Sequence, residues 1–158
     1  MSGEDMKNRA FSLIEVLIVV VILGVLAAIA LPQFASATDD ARTAAVQSTL
    51  SGVRSSIASY RTSAVINGTA PYPALAEITD GSVLKFDVPI NPFTDVGGVQ
   101  AVTGGQADAR AVVSESSAGW NYFVDNNATP PVVIFYSNTS ILSTAPDGAG
   151  GFLGANEL

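Results

Sequence analysis

The 158-residue sequence contains no cysteine and no histidine, and only 13% of its residues are charged, where about a quarter is usual in soluble domains. The missing thiols and imidazoles exclude disulfides, zinc sites built from Cys or His, and nucleophile–base pairs that use either side chain. A hydrolase built on this chain would depend on a serine–lysine pair, and Lys85 is the only lysine after the first ten residues. We therefore expect no enzymatic activity.

Basic residues are also scarce. Lys and Arg number 7 against 14 Asp and Glu, which gives a net charge of −7. Residues 32–158 carry 11 acidic and 5 basic side chains, so this part alone has a net charge of −6. A negative surface with no basic stripe repels the phosphate backbone of DNA or RNA. We expect no nucleic-acid partner for the isolated chain.

The hydrophobic residues are concentrated in one window. Residues 11–31 include 18 apolar side chains among 21. As a helix this window would be about 31 Å long, enough to cross the core of a bilayer. One such segment excludes a multi-span channel or transporter. Because Lys7 and Arg9 precede it, the positive-inside bias predicts a cytoplasmic N-terminus and a chain that continues on the other side of the membrane.

Glu15 lies one turn inside this apolar window. A carboxylate there costs free energy in a bilayer, and the sequence suggests no structural use for it. We therefore expect the acid to meet a positive charge in an assembled state. Two alternatives remain. One is a plain membrane anchor, and the other is a signal peptide cut after Ala37, because residues 35–37 have the small-x-small pattern of a signal-peptidase site. Neither alternative needs the acid.

The stretch Ala10-Phe11-Ser12-Leu13-Ile14-Glu15, with the apolar run after it and the later Pro32, resembles the N-terminus of the type IV pilin and type II secretion pseudopilin superfamily. The resemblance implies that residues 1–10 are a leader, removed by a prepilin peptidase between Ala10 and Phe11, and that Phe11 is then N-methylated. It implies that Glu15 pairs with the Phe11 amine of a neighbouring subunit. It also places Pro32 where the family bends its helix. The family prefers glycine before the cut, where this chain has Ala10.

A helical pattern continues beyond the window. Apolar residues recur at steps of three and four, as on one face of a helix: Val46, Leu50, Val53, Ile57, Tyr60 and Ala64. The pattern predicts an amphipathic helix over residues 32–66, ended by Asn67-Gly68 and packed on its own domain. With residues 11–31 it would form one long helix that bends at Pro32.

Residues 67–158 are expected to form a small β-rich head domain. Short apolar stretches predict strands at residues 83–86, 99–102, 111–113, 120–124 and 132–136, separated by Gly, Pro, Asn, Asp and Ser. The last two are expected to pair as a hairpin whose aromatic residues belong to the core. The predicted fold class is α+β, with the long bent helix packed on a small antiparallel sheet.

Type II pseudopilins tend to hold calcium in an acidic loop near the C-terminus, and the resemblance makes Asp125 and Asp147 the candidate ligands. Residues 125–127 and 147–148 also read as Asx-rich turns without a metal, which is the simpler interpretation. The glycine-rich stretch 147–154 predicts a loop-like end.

From these observations we expect the protein to be a structural subunit of a filament. The resemblance implies a single-pass protein of the bacterial inner membrane with a periplasmic head, processed by the peptidase and assembled by an inner-membrane platform together with minor pseudopilins. A type II secretion pseudopilin is favoured by the absence of cysteine and by the Asn91-Pro92 turn. A type IV pilin for adhesion, motility or DNA uptake is the alternative. The alternative from another class is an exported soluble binding domain released after Ala37.

Overall fold

The computed structural model describes residues 11–158, so the predicted leader and Ala10 lie outside the described residues. The chain divides into two compact units between Thr38 and Asp39. The second unit, residues 39–158, is called the head from here on and includes the second half of the long helix. One helix, α1, runs from Leu13 to Asn67 and contains Pro32. The helix thus continues past the proline, as the sequence predicts, while the bend at Pro32 stays a prediction.

Helix α1 ends where the sequence places its stop. Gly68, directly after Asn67, has a φ of 68°, in the left-handed region that glycine adopts without steric cost. The N–H of Thr69 donates to the carbonyl of Ala64 at 3.1 Å. This pairing is the hydrogen bond of a Schellman motif, which satisfies one of the free carbonyls at a helix end.

The second half of α1 packs within its own unit. Its predicted stripe is buried: Val46, Leu50, Val53, Ile57 and Ala64 are all at most 5% exposed, and Tyr60 is partly buried. The stripe lies in one core cluster with Ile78 of α2 (Leu75–Thr79), Leu84, Trp120, Tyr122 and Phe135. The amphipathic helix and the core role of the aromatic residues are confirmed.

A three-stranded sheet covers this stripe, in the order β1 (Val99–Ala101), β2 (Trp120–Asp125) and β3 (Val132–Ser137). Strands β2 and β3 are antiparallel, with Trp120 opposite Ser137, so the predicted hairpin is confirmed. Strands β1 and β2 are parallel, which corrects the expectation of a purely antiparallel sheet. The connection between them spans residues 102–119 and contains α3 (Gly104–Asp108), long enough for the crossover that parallel strands require.

Two predicted strands do not form. Residues 83–86 contribute the buried Leu84 without pairing as a strand, and residues 111–113 are not assigned to one. At Val113 the main chain pairs with a side chain instead, because its N–H donates to Asn138 Oδ1 and its carbonyl accepts from Asn138 Nδ2, both at 2.8 Å. The fully buried Asn138 therefore takes the place of a neighbouring strand.

The glycine-rich stretch is loop-like at residues 147–151, as expected, but residues 152–154 form a strand that the sequence analysis missed. Strands β4 (Leu142–Pro146) and β5 (Phe152–Gly154) form a two-stranded antiparallel sheet, followed by a 3₁₀ turn at Ala155–Glu157. Asp147 closes the connection, since its Oδ1 accepts from the N–H groups of Ala149 at 2.7 Å and Gly151 at 2.9 Å. The Asp147 carboxylate thus stabilises the glycine-rich turn that joins the two strands.

The side chain of Asn91, which begins the Asn91-Pro92 turn, is buried and hydrogen-bonded. Asn91 Nδ2 donates to the carbonyl of Gly119 at 2.9 Å and to Ser137 Oγ at 2.8 Å. A Cβ atom added at Gly119 would overlap the carbonyl oxygen of Val96 and the Cβ of Asn91. Glycine is therefore required at position 119, where the turn meets the start of β2.

Candidate assembly segment

The first half of α1 exposes its apolar side chains on every face. The large ones among residues 11–34 are between 52% exposed, at Val16, and 86% exposed, at Leu13. Leaving a large apolar side chain in water instead of burying it costs about 1.5–3 kcal/mol. This surface therefore requires a second medium, either lipid or other protein.

Among residues 11–158, α1 is the one helix whose length and composition would allow it to cross a membrane. No residue in its most apolar stretch is buried. A signal sequence near an N-terminus would have the same length and composition. Length and hydrophobicity alone therefore do not separate an anchor from a signal peptide.

Glu15 has a structural role in the isolated chain that the sequence-based expectation missed. Its N–H donates to Ser12 Oγ at 3.3 Å, and the N–H of Ser12 donates to Glu15 Oε2 at 3.4 Å. This reciprocal pair is a capping box, which satisfies two free N–H groups at the start of a helix. The expectation that the acid has no structural use is therefore wrong. The pattern Ser-x-x-Glu before an apolar run is the signal that predicts it.

The capping box leaves the carboxylate accessible. Both hydrogen bonds are long and solvent-exposed, and the Glu15 side chain is itself exposed. Phe11, four residues before it, is 80% exposed. A cation from outside the chain could thus reach the carboxylate at the start of α1, which is the role predicted for Glu15.

Pro32 lies inside α1 and lacks the N–H that a helix interior uses. The hydroxyl of Ser36 donates to the carbonyl oxygens of Pro32 at 3.3 Å and Gln33 at 3.1 Å. Hydrogen bonds from serine to carbonyls of the preceding turn favour a bend in a helix. This local pattern is consistent with the role predicted for Pro32.

The two calcium candidates each close a turn of their own. Asp125 Oδ1 accepts from the N–H groups of Asn127 at 2.9 Å and Ala128 at 3.1 Å, as Asp147 does in its own loop. Within residues 11–158 no group of three acidic side chains could hold a metal ion. Calcium takes six to eight oxygen ligands, and each of these turns supplies one carboxylate, so calcium binding at Asp125 and Asp147 stays a prediction.

Lys85, the one lysine available for a serine–lysine pair, does not form one. Its Nζ donates to the main-chain oxygen of Ser82 at 3.1 Å. In the part of the chain that the structure describes, no serine hydroxyl is hydrogen-bonded to this amine. The geometry therefore offers no activated nucleophile here.

Comparison with known proteins finds similarity at the first half of α1. The family described as "Prokaryotic N-terminal methylation motif" matches residues 5–31. A curated relative, the type IV narrow pilus major component PilA5 of Thermus thermophilus, is 49% identical over 53 residues. The N-terminal segment of the chain therefore carries the methylation motif and is similar to that of a type IV pilin. The motif and the apolar helix together indicate a membrane-anchored protein.

The likeness to this pilin extends past the motif, since 53 aligned residues exceed the 27 positions from 5 to 31. It covers 34% of this chain and 46% of the relative, so the chain spans less than half of that pilin's length. No solved structure matches the chain. The likeness to pilins is therefore limited to about the first third of the chain, while the head is described by its own structure.

Proposed function

We propose that this protein is a structural subunit of a pilin-type filament and has no enzymatic activity. The observation that carries the proposal is the exposed apolar half of α1, which begins with the methylation motif and finds no core within residues 11–158. In the membrane, lipid covers this surface. In a filament, the same segments of neighbouring copies replace the lipid.

Processing supplies the charge that Glu15 lacks within its own helix. A prepilin peptidase cuts between Ala10 and Phe11, and the new Phe11 amine, then N-methylated, is a cation at the membrane edge. Glu15 of one subunit pairs with this amine on its neighbour. The pair is strengthened by the low dielectric of the surrounding helices, where Coulomb attraction is much less screened than in water.

Helix packing provides the remaining free energy of assembly. Between helices in lipid there is no hydrophobic driving force, so close van der Waals contact decides their association. Apart from its own turn of helix, a Cβ at Gly24 would meet no atom of residues 11–158 within 4 Å, which leaves room there for another helix. We propose that residues 11–34 form the filament core, with the inner-membrane platform and minor pseudopilins as assembly partners.

The type IV pilus is the first candidate for the kind of filament, because the curated relative is a pilus major component and its likeness exceeds the motif. A type II secretion pseudopilin is the second, favoured by the absence of cysteine and the buried Asn91 turn. Deleting the gene separates the two. Loss of surface filaments with secretion intact supports the pilus, and retention of exported proteins in the periplasm supports the pseudopilin.

Two substitutions separate the charge of Glu15 from its capping role. Glu15→Gln keeps a side chain that serves in a capping box but removes the charge, whereas Ser12→Ala removes the cap and keeps the charge. We expect Glu15→Gln to lower sheared filament by at least about tenfold, which corresponds to 1.4 kcal/mol. Ser12→Ala should retain filaments. Normal assembly by Glu15→Gln would overturn the pairing.

Intact-mass measurement of the mature protein tests the processing. A chain that starts at methylated Phe11 supports the proposal, and Ala10→Gly should then accelerate cleavage because the family prefers glycine there. A chain that starts at Thr38 would overturn it in favour of an exported soluble domain. Fractionation of the cells checks the proposed location in the inner membrane with the head in the periplasm.

A further inference from the structure

Three of the five basic side chains in residues 32–158 line one cavity of the head. Arg54, Arg61 and Arg110 surround a space of about 300 Å³. The protein as a whole carries twice as many acidic as basic residues, so this concentration of positive charge is local and runs against the composition. We call this space the arginine cavity.

The fold brings the three arginines together from separate segments. Arg54 and Arg61 lie seven residues apart on α1, two turns along the same face. Arg110 follows α3, and its backbone has a φ of 51°. This is the left-handed region, which residues other than glycine, asparagine and aspartate rarely adopt. This conformation ends α3 in a Schellman motif, because the N–H of Ala111 donates to the carbonyl of Gln106 at 2.8 Å and the N–H of Arg110 donates to that of Ala107 at 3.1 Å.

No side-chain carboxylate neutralises these guanidinium groups. Within residues 11–158 the one ion pair joins Arg42 to Asp39 at 3.6 Å, on a different part of α1. Arg61 donates to the hydroxyl of Tyr72 at 2.8 Å, and Arg54 donates at 3.1 Å to a backbone oxygen of Leu158, the last residue of the sequence. Burial, and then the charge of Arg110, lower the pKa of Arg54 below its ordinary value.

The cavity also has an apolar wall. Ile57, Val133 and Phe135 line it together with the ring of Tyr72, and none of the lining residues is acidic. The cationic and apolar groups therefore face the same space. An apolar body carrying an anionic group would meet both surfaces at once, whereas a bare inorganic ion would meet the guanidinium groups alone.

We propose that the arginine cavity binds a small organic anion, a phosphate or carboxylate carried on an aromatic or aliphatic body. A guanidinium group presents paired N–H donors that match both anions in a bidentate geometry. The bound anion would relieve the repulsion between the arginines, and its body would lie against the partly exposed side chains of Val133 and Tyr72. This role is independent of filament assembly.

Titration calorimetry of the full chain in non-ionic detergent tests the proposal, with phenyl phosphate, benzoate and inorganic phosphate as probes. We expect phenyl phosphate or benzoate to bind, and inorganic phosphate to bind at least tenfold more weakly. The stronger of the two organic probes identifies the anionic group. Failure of both to bind, or equal binding of inorganic phosphate, would overturn the proposal.

Charge-matched variants show whether the probe occupies this cavity. Arg54→Gln and Arg110→Gln should each weaken binding at least tenfold, while Arg42→Gln, which removes the same charge elsewhere, should leave it unchanged. Arg110→Gly is the second variant at that position, because glycine accepts the left-handed backbone and keeps the fold. Equal losses in Arg42→Gln, or wild-type binding by Arg110→Gly, would contradict the proposed site.

Discussion

The two halves of helix α1 differ in where their apolar side chains find a core. Leu50 in the second half is 1% exposed and belongs to the cluster around Trp120, whereas Leu17 in the first half is 55% exposed. Both are leucines in one uninterrupted helix. The difference shows that one half takes its stability from its own chain, and that the other half needs lipid or further subunits to cover it.

The halves also differ in how their charge is used. The apolar half contains a single ionisable side chain, Glu15, at its exposed start. The second half carries Arg54 and Arg61, which meet Arg110 at the arginine cavity of the head. Glu15 is therefore suited to a partner outside the chain, and the arginines are arranged by the fold itself.

The largest expected effect is that of a methyl group added to glycine. Gly119→Ala should destabilise the head by about 4 kcal/mol or more, because the new Cβ would overlap main-chain atoms that cannot move aside. Gly24→Ala, in the apolar half, should leave the head unchanged, since nothing lies within 4 Å of its Cβ. Urea unfolding followed by the fluorescence of Trp120 measures both. Equal losses of unfolding free energy in the two variants would contradict the difference between the two halves of α1.

A leucine pair gives the next effect. Leu50→Ala should lower the free energy of unfolding of the head by about 3 kcal/mol, the cost of a buried cavity. Leu17→Ala should change it by less than about 0.5 kcal/mol and should instead reduce filament yield. The same urea titration and a filament shearing assay provide the measurements. A loss of head stability in Leu17→Ala would contradict the conclusion that only the second half of α1 packs in the head.

The smallest effect concerns the pH dependence of the head. The N–H groups of Ala149 and Gly151 donate to Asp147 and hold the pKa of its carboxyl below the ordinary 3.8. Because the folded pKa is the lower one, the stabilisation is present above about pH 4 and is lost as the pH falls through the folded value. The Asp147→Asn head should therefore be slightly less stable than the wild-type head at pH 7, and this difference in stability should become smaller in acid.

Glu115→Gln is the control for this prediction, since it removes one negative charge from an exposed side chain elsewhere in the head. The stability difference between Glu115→Gln and the wild type should not follow the pH dependence expected for Asp147→Asn. Unfolding midpoints measured between pH 7 and pH 2.5 distinguish the two variants. If the stability difference between Asp147→Asn and the wild type stays constant across this range, the hydrogen bonds at position 147 do not depend on the charge of the carboxylate.

Local patterns predicted much of the fold. The spacing from Val46 to Ala64 predicted the buried face of α1, and Asn67-Gly68 predicted its end, because both features depend on neighbours within a few residues. The hairpin of β2 and β3 was also predicted from two apolar stretches joined by turn residues. The strand at 152–154 was missed, because three residues among glycines carry no pattern and take their structure from β4.

The candidate sites divide in the same way. The methylation motif and Glu15 are contiguous in sequence, so the resemblance could be seen without coordinates. The capping box at Ser12 could also have been predicted from its spacing. The arginine cavity could not, since Arg110 lies 49 positions beyond Arg61 in the sequence and joins it only through the packing of β3 against α1.

The sequence by itself determined that this protein has one apolar segment with a pilin-type start, an α+β head, and no Cys or His chemistry. These properties follow from composition and from short-range periodicity. Only the tertiary structure decided that β1 runs parallel to β2, that Asn138 replaces a strand beside Val113, and that three arginines share one cavity. Each of these depends on contacts between residues far apart in the chain, which are selected by the packing of the whole head and not by local preference.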